Sequence, residues 1–464
     1  MRKTTLGGVV VAVAAVVWGA GLYVSGMWVE RAFQDNLEAL SGHPQVELES
    51  TSYERGWLRA RARSRLTLTT PEQEVTFRLK HQIAHGPTFT LAALARITTT
   101  PIIPADKAEV TAHYFGDRAP FKSHLRIGLT GSHHWDVASP AFHRPLHNDP
   151  ETEVDWQGLS GKGTVSAGHD RFRLELNVPG LNVAEPEGEI DLRGLSVRSS
   201  LEKQSDHLWL GNSRLALEGL DADLPAEDGN GRRQARFQGL TLHTTLAEGQ
   251  AEDLLRMRAD WDLQSAEMDG RSLNNGALGL ELRRIDQTAY RDLQARAGDL
   301  RARELSQEAL AGAYLELVQD LLPRFLARSP ELEITRLVLE TGDGRLQGNA
   351  QASYRGKPES QGVPGHINQV LRRVTARAEM TMAKDLLTAL LRRSAEANLA
   401  AKEGVPPDQA AQQAAQVAQM RLGMLQGLGI VEADGNRFTV AAAWEEGTVT
   451  VNGQPLGMGG SQIP

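Results

Sequence analysis

Apolar positions recur along the chain in three rhythms, and each predicts a different element. From Leu6 to Trp28 (LGGVVVAVAAVVWGAGLYVSGMW) no residue carries a charge. Wound as a helix at about 1.5 Å per residue, these residues span roughly 34 Å, enough to cross a bilayer. Residues 29–45 place Phe33, Leu37 and Leu40 at helical spacing and predict a stalk. After Gly42-His43-Pro44 the period falls to two. Leu58, Ala60, Ala62, Ser64, Leu66 and Leu68 alternate with Arg59, Arg61, Arg63 and Arg65, an amphipathic strand with a basic outer face. Pro71 to Glu74 then predicts a turn, and Val75, Phe77 and Leu79 begin the return.

Through the middle the form apolar-x-apolar-x-Gly-Leu recurs, ending at Gly158-Leu159, Gly180-Leu181, Gly194-Leu195, Gly219-Leu220 and Gly239-Leu240 and weakening at Gly279-Leu280. The spacings are irregular, so this is a meander reusing one local device; a glycine inside an alternating strand marks a bulge or bend. Helical period returns over 286–329 with Leu310, Tyr314, Leu317, Leu321 and Phe325, and again around Leu386 to Leu399. Pro406-Pro407-Asp408 opens a further Ala/Gln-rich helix that stops at Gly427. Phe438, Val440, Ala442 and Trp444 resume period two, and Asn452-Gly453 after Val449 and Val451 is a strong hairpin signal.

The expected fold is therefore α+β and β-rich: an N-terminal transmembrane helix, then a large curved antiparallel β-meander, with covering helices in the C-terminal half. The segments are 1–28 (cytoplasmic tip and anchor), 29–45 (helical stalk), 46–285 (meander), 286–329 (amphipathic helical segment) and 330–464 (mixed, closing with hairpins). Arg2 and Lys3 before the span orient the N-terminus to the cytoplasm and the body outward. The length of the span favours an uncleaved anchor over a removed signal peptide, whose apolar region usually runs about 7–15 residues.

Composition narrows the function classes. With 50 Lys+Arg against 58 Asp+Glu, the net charge of −8 excludes a globally basic nucleic-acid binder. The 464 residues contain no cysteine, which removes disulfides, Cys-ligated metals and thiol nucleophiles. A hydrophobic share of 41% supplies a core.

Three segments resemble the YdgA-like bacterial envelope family, whose biochemical role is not established. Ser52-Tyr53-x-Arg55-Gly56-Trp57 is similar to the opening of that family's first strand, His85-Gly86-Pro87 to its H-G-P turn, and Gly447-x-Val449-x-Val451-Asn452-Gly453 to its closing hairpin. The anchor and the helix-rich C-terminal third fall in the same order, so the resemblance spans essentially the whole chain. It implies an inner-membrane protein with a periplasmic body. It offers no catalytic residues to carry over, so Tyr53, Arg55, Gly56, His85, Gly86, Pro87, Asn452 and Gly453 are structural motif positions.

Candidate chemistry is sparse. Eight of the 13 histidines (His81, His85, His113, His124, His133, His134, His143, His147) fall within 81–147, with Asp136 and Asp149 nearby. His143 and His147 have the i,i+4 spacing of helical metal ligands, but Pro140, Pro145 and Pro150 remove the helix that geometry requires. Ser132, His133 and Asp136 do not make a triad along one strand, because neighbouring positions point to opposite faces. Gly158 to Thr164 fails the phosphate-loop pattern, since Trp156 stands where its first glycine should be and Gly163 follows Lys162; Gly342-x-Gly344-x-x-x-Gly348 misses the dinucleotide fingerprint by one residue. No cofactor or metal is assigned. The row Arg59, Arg61, Arg63, Arg65 is suited either to anionic lipid headgroups or to a solvated face that blocks edge pairing, with Glu72 and Glu74 as neutralising partners.

Two functions remain. The leading one is a non-enzymatic envelope protein whose curved sheet offers an apolar face to a lipid, an acyl chain or a protein partner. The alternative is a metal-dependent or hydrolytic enzyme that brings together three or more of His85, His133, His143, His147 and Asp136.

Overall fold

The computed structural model describes residues 46–55, 59–69, 74–85, 93, 95–128, 130–226, 231–268, 270–301, 306–356, 370–400 and 407–455. The expected span over 6–28, the stalk over 29–45, and Gly56, Gly86 and Pro87 lie outside these residues. No helix among the described residues is long and apolar enough to cross a membrane. The chain divides into two compact units, Met1–Arg233 with Tyr290–Asp320, and Gln234–Ala289 with Leu321–Pro464. The division at 233/234 runs through the strand-rich stretch expected over 46–285.

The first unit holds β1 (Val46–Arg55), β2 (Arg59–Thr69), β3 (Glu74–His85), β4 (Ala95–Ile102), the helix α1 (Ala108–Phe115), β5 (Lys122–Ile127), β6 (His133–Ser139), β7 (Phe142–Leu146), β8 (Asp149–Trp156), β9 (Leu159–Val165), β10 (Arg171–Glu185), β11 (Gly188–Ser205) and β12 (Leu208–Pro225). All pairings are antiparallel. The order is β1-β2-β3-β4-β5-β6-β9-β10-β11-β12, and the β7–β8 hairpin joins the far half of β10. The inward positions close into a core: Trp135, Val137, Trp156, Phe172, Leu174, Leu176, Val178 and Leu181 are all buried against one another. Burying each such side chain contributes roughly 1.5–3 kcal/mol.

The Gly-Leu repeats keep that face intact. In β10, Leu174, Leu176 and Val178 are two apart, but Leu181 follows after three, so strict alternation would turn it outward. β11 has the same extra residue between Leu192 and Leu195, and β12 between Leu217 and Leu220. The extra residues are accommodated together: Val178 pairs Leu195 and Gly180 pairs Arg193, with Pro179 and Gly194 left over between them; Arg193 pairs Gly219 and Leu195 pairs Leu217, leaving Gly194 and Glu218. Gly194 takes φ +63°, a conformation side chains resist. At Gly219 the Arg193 guanidinium lies where a Cβ would stand, held there by Asp191 and Asp221, each 2.5 Å away. All five recurrent glycines lie in strands or, for Gly158, between two of them, as the meander reading expects.

The second unit continues with β13 (Arg232–Glu248, its first two residues in the first unit), β14 (Leu254–Leu263), β15 (Ser265–Met268), β16 (Arg271–Asp286), β17 (Glu331–Thr341), β18 (Gly344–Tyr354), β19 (Val374–Ala383), β20 (Glu432–Asp434), β21 (Arg437–Glu445), β22 (Thr448–Val451) and β23 (Gln454–Pro455). Helices α2 (Gln287–Arg301) and α3 (Gln307–Ala327), of which Tyr290–Asp320 belong to the first unit, connect β16 to β17; α4 (Lys384–Ala400) and α5 (Pro407–Gly427) connect β19 to β20. The order β13-β14-β16-β17-β18-β19-β21-β22-β23 is again antiparallel throughout. Asp286 starts α2 by accepting the Ala289 backbone N–H at 2.7 Å, and its other oxygen accepts Arg328 Nε at 2.8 Å. In α5, Ala410, Ala414 and Ala418 are buried at a spacing of four, so the low apolar content of this helix serves close packing.

Asn452 and Gly453 take φ +50° and +77°, and Val451 pairs Gln454 across them. That is the tight turn expected, followed by a two-residue edge strand at Pro455. Asn452 also ties the turn inward: its Oδ1 accepts Ala441 N–H at 2.7 Å and its Nδ2 donates to the Gly429 carbonyl at 2.9 Å. Nothing crowds a Cβ at Gly453, so Gly453→Val should cost only the positive-φ penalty, about 1–2 kcal/mol. Urea unfolding checks this; an unchanged midpoint would contradict the turn assignment.

Candidate functional site

The register of the second unit lines up a partly uncovered apolar face. Leu242 on β13, Trp261 on β14, Leu278 on β16, Leu337 on β17, Gly348 on β18, Met380 on β19 and Val440 on β21 are successive cross-strand partners. The next row runs Thr244, Ala259, Leu280, Ile334, Ala350, Ala378 and Ala442, and the next Leu246, Met257, Leu282, Leu332, Ala352, Ala376 and Trp444. Six strand spacings make each row about 29 Å long, and three rows two residues apart about 14 Å wide.

None of these side chains is buried. All are half-buried except Leu332, which is 48% exposed. In the first unit β6, β8, β9 and β10 bury their inward residues, whereas Leu192, Leu195 and Val197 on β11 and Leu215, Leu217 and Leu220 on β12 are half-buried like the rows here. The reverse face is polar and ion-paired: Arg258 Nε lies 2.7 Å from Asp260, Arg336 lies 2.6 Å from Asp262, and Arg283 reaches Glu281, Glu331 and Glu333. Such one-sided alternation defines a sheet with one face for water and one for an apolar neighbour.

One bulge preserves this wall. In β17, Leu332 and Ile334 are followed by Leu337 and Leu339, an odd step that would split them between faces. Gly279 pairs Arg336 and Leu280 pairs Ile334, so Thr335 is the extra residue and all four stay on one side. A Cβ on Gly279 would collide with the Thr335 hydroxyl. In the sequence Gly279-Leu280 is only a weakened repeat, and the one local signal of the wall is Leu278, Leu280 and Leu282 at period two.

Among the described residues the candidate histidines do not converge on one site. His133 is buried on the inward face of β6, its ring edge-on to His169 at 5.2 Å, whereas Asp136 is exposed on the other face. His143 is exposed, 3.8 Å and 4.0 Å from Glu153 and Asp155. His147 meets His113 edge-on with ring centres 5.5 Å apart, and His113 Nε2 donates to the Pro145 carbonyl at 2.7 Å. His85 ends β3, and its side chain lies outside the described residues. Among the described residues no three of His, Cys, Asp or Glu are placed to hold a metal ion. Of the family-motif residues, Tyr53 and Arg55 fall in β1, opposite Ala62 and Ala60.

One histidine is set apart by its surroundings. His81 on β3 is buried between β2 and β4, with Nε2 2.8 Å from Ser64 Oγ and Nδ1 2.9 Å from Thr99 Oγ1. A neutral imidazole offers one donor and one acceptor, and the two hydroxyls match both. Ser64 is 1% exposed, so this line of three is a cross-strand core contact closed to substrate.

The chain matches, over residues 1–458, the family described as bacterial protein of unknown function (DUF945), and it belongs to that family. It is 21% identical over 498 aligned residues to Protein YdgA of Escherichia coli (strain K12), covering 99% of this chain and 95% of that protein. No solved structure matches.

Burial pushes His81 down to about 4 from its ordinary 6.5. The unfolded chain therefore takes up this proton first on acidification. The neutral-ring contribution is fully present above about pH 6.5, declines as pH falls toward 4 and levels off below, a span of about 3 kcal/mol. Urea titrations across this window should show the slope in the parent and its loss in His81→Gln. Equal slopes would contradict the burial account.

Proposed function

We propose that this protein is an envelope protein held in the bacterial inner membrane by residues 6–28, with its body in the periplasm, and that it works without catalysis by holding a lipid acyl chain against the wall of the second unit. The observation that carries the binding role is the run of three in-register apolar rows left half-exposed while the reverse face is ion-paired. Contiguous apolar surface of this extent on a folded protein marks a contact site. An extended, non-directional wall with no inward charge suits a hydrocarbon chain better than a polar metabolite, whose groups would need partners. Support for the location comes from the charge-free span and its basic flank.

The binding role is tested with the full chain purified in mild detergent and a fluorescent acyl probe. Leu278→Asp and Leu280→Asp each place a charge in the wall and should weaken binding by at least about tenfold, the equivalent of one lost apolar side chain. Gln347→Glu, on the opposite face of β18, should leave it unchanged. Equal binding by the parent and both leucine variants, or none by the folded parent, would overturn the reading. For location, protease added to spheroplasts should digest the body, and protection of the body would reverse the orientation.

A further inference from the structure

The arginine row on β2 extends beyond the strand on which the sequence shows it. Arg59, Arg61, Arg63 and Arg65 are all exposed, and β3 sets Lys80 directly opposite Arg63 and Arg78 directly opposite Arg65. Two strands further on, Arg126 on β5 stands opposite Arg96 on β4. All four of these added cations are exposed as well. Like charges directly opposite on a sheet repel, and this face has three such pairs.

The neutralisation expected from Glu72 and Glu74 is not what the register provides. Glu74 falls opposite Thr69, beyond the arginine row, and Glu72 lies outside the described residues. Edge protection does not explain the row either, because β2 is paired on both sides, to β1 and β3. On β1, Glu54 and Glu49 stand opposite Arg61 and Arg65. No acidic residue stands opposite Arg63, Arg78, Lys80, Arg96 or Arg126 on either paired strand. Other sheet cations are matched with carboxylates, as Arg193 with Asp191 and Asp221, and Arg377 with Glu445, although Arg198 and Arg214 also stand opposite one another on β11 and β12.

We propose that the outer face of β2–β5 docks on the anionic phosphate headgroups of a lipid bilayer, which supply the countercharge the fold omits. The cations form a two-dimensional array, strands about 4.8 Å apart and alternate residues about 7 Å apart, that fits a plane of phosphates better than one phosphate ion. The chain as a whole is at −8, so the attraction is local to this face. The face belongs to the first strands after the charge-free segment, with residues 29–45 between them. The inference rests on the anchoring proposed above and is independent of the acyl-chain wall.

The chain has no cysteine, so Gln82→Cys, exposed opposite Arg61 on the same face, gives a unique site for a fluorophore. The full chain is reconstituted into vesicles of neutral phosphatidylcholine, with or without about 30 mol % anionic phosphatidylglycerol, doped with a headgroup quencher. Quenching should be at least about threefold stronger in the anionic vesicles and should fall to the neutral level in about 0.5 M salt. It should be lost in Arg63→Glu/Lys80→Glu and reduced in the milder Arg63→Gln/Lys80→Gln. Equal quenching in both vesicles, or in the parent and the charge-reversed variant, would overturn the proposal. Soluble polyphosphate that abolishes the difference while changing the label in neutral vesicles would also overturn it, assigning the face to a polyanion. Flotation with neutral vesicles reads the anchor separately: a chain that floats only with anionic ones, dependent on Lys80 and Arg63, retains the docking face and loses the anchor.

Discussion

A β-strand has a side-chain period of two, and a slip of one residue sends every later side chain to the other face. This chain departs from that period repeatedly, at Val178 to Leu181, Leu192 to Leu195, Leu217 to Leu220 and Ile334 to Leu337. Each departure is absorbed by an extra residue set into the strand, and in β10, β11 and β12 the extra residues lie side by side so that pairing resumes in step. Gly194 supplies the positive φ this needs, and Gly219 and Gly279 leave room for Arg193 and Thr335. The continuity of the inward apolar face across β10–β12 and across β16–β17 depends on those insertions.

The two units put the same device to different use. In the first, tryptophans and a phenylalanine from β6, β8 and β10 fill the inward side, and the β7–β8 hairpin adds Leu146, Val154 and Trp156 to the same cluster. In the second, the three rows, with Trp261 and Trp444 among leucines, alanines and Met257 and Met380, stay half-buried or, at Leu332, exposed, while Met382 and Phe438 at the end of the same face are buried. The outward faces differ too. The second unit's is neutralised by cross-strand ion pairs, whereas the first unit's opening strands collect cations opposite cations. One chain thus presents an apolar surface on one unit and a basic one on the other, the two chemistries of a lipid molecule.

Much of the strand architecture was legible from alternation alone. The amphipathic β2, the Gly-Leu bends, the helical stretch after β16 and the Asn452-Gly453 turn all announce themselves through local rules of period, capping and positive φ, whereas the division of that stretch into α2 and α3 does not. The wall was not legible, because it is a property of register: Leu278, Leu337 and Met380 are far apart in sequence, and only pairing lines them up. The histidine concentration pointed the other way. Eight histidines in 67 positions suggested convergence, but alternation sends neighbours such as His133 and Asp136 to opposite faces, and sequence density does not become spatial density on a sheet. His81 stands out in the sequence only as one of those eight, since Ser64 and Thr99 reach it only across strands.

Membership of the DUF945 family gives no chemistry to borrow, so the account rests on the open apolar wall. The most direct test is a photo-crosslinking side chain placed at Leu280, in the middle row, and separately at Gln347, on the reverse face of β18, in the full chain in living cells. The account predicts a lipid-mass adduct at position 280 and none at 347. Protein-sized adducts alone at 280, or equal labelling at the two positions, would contradict it.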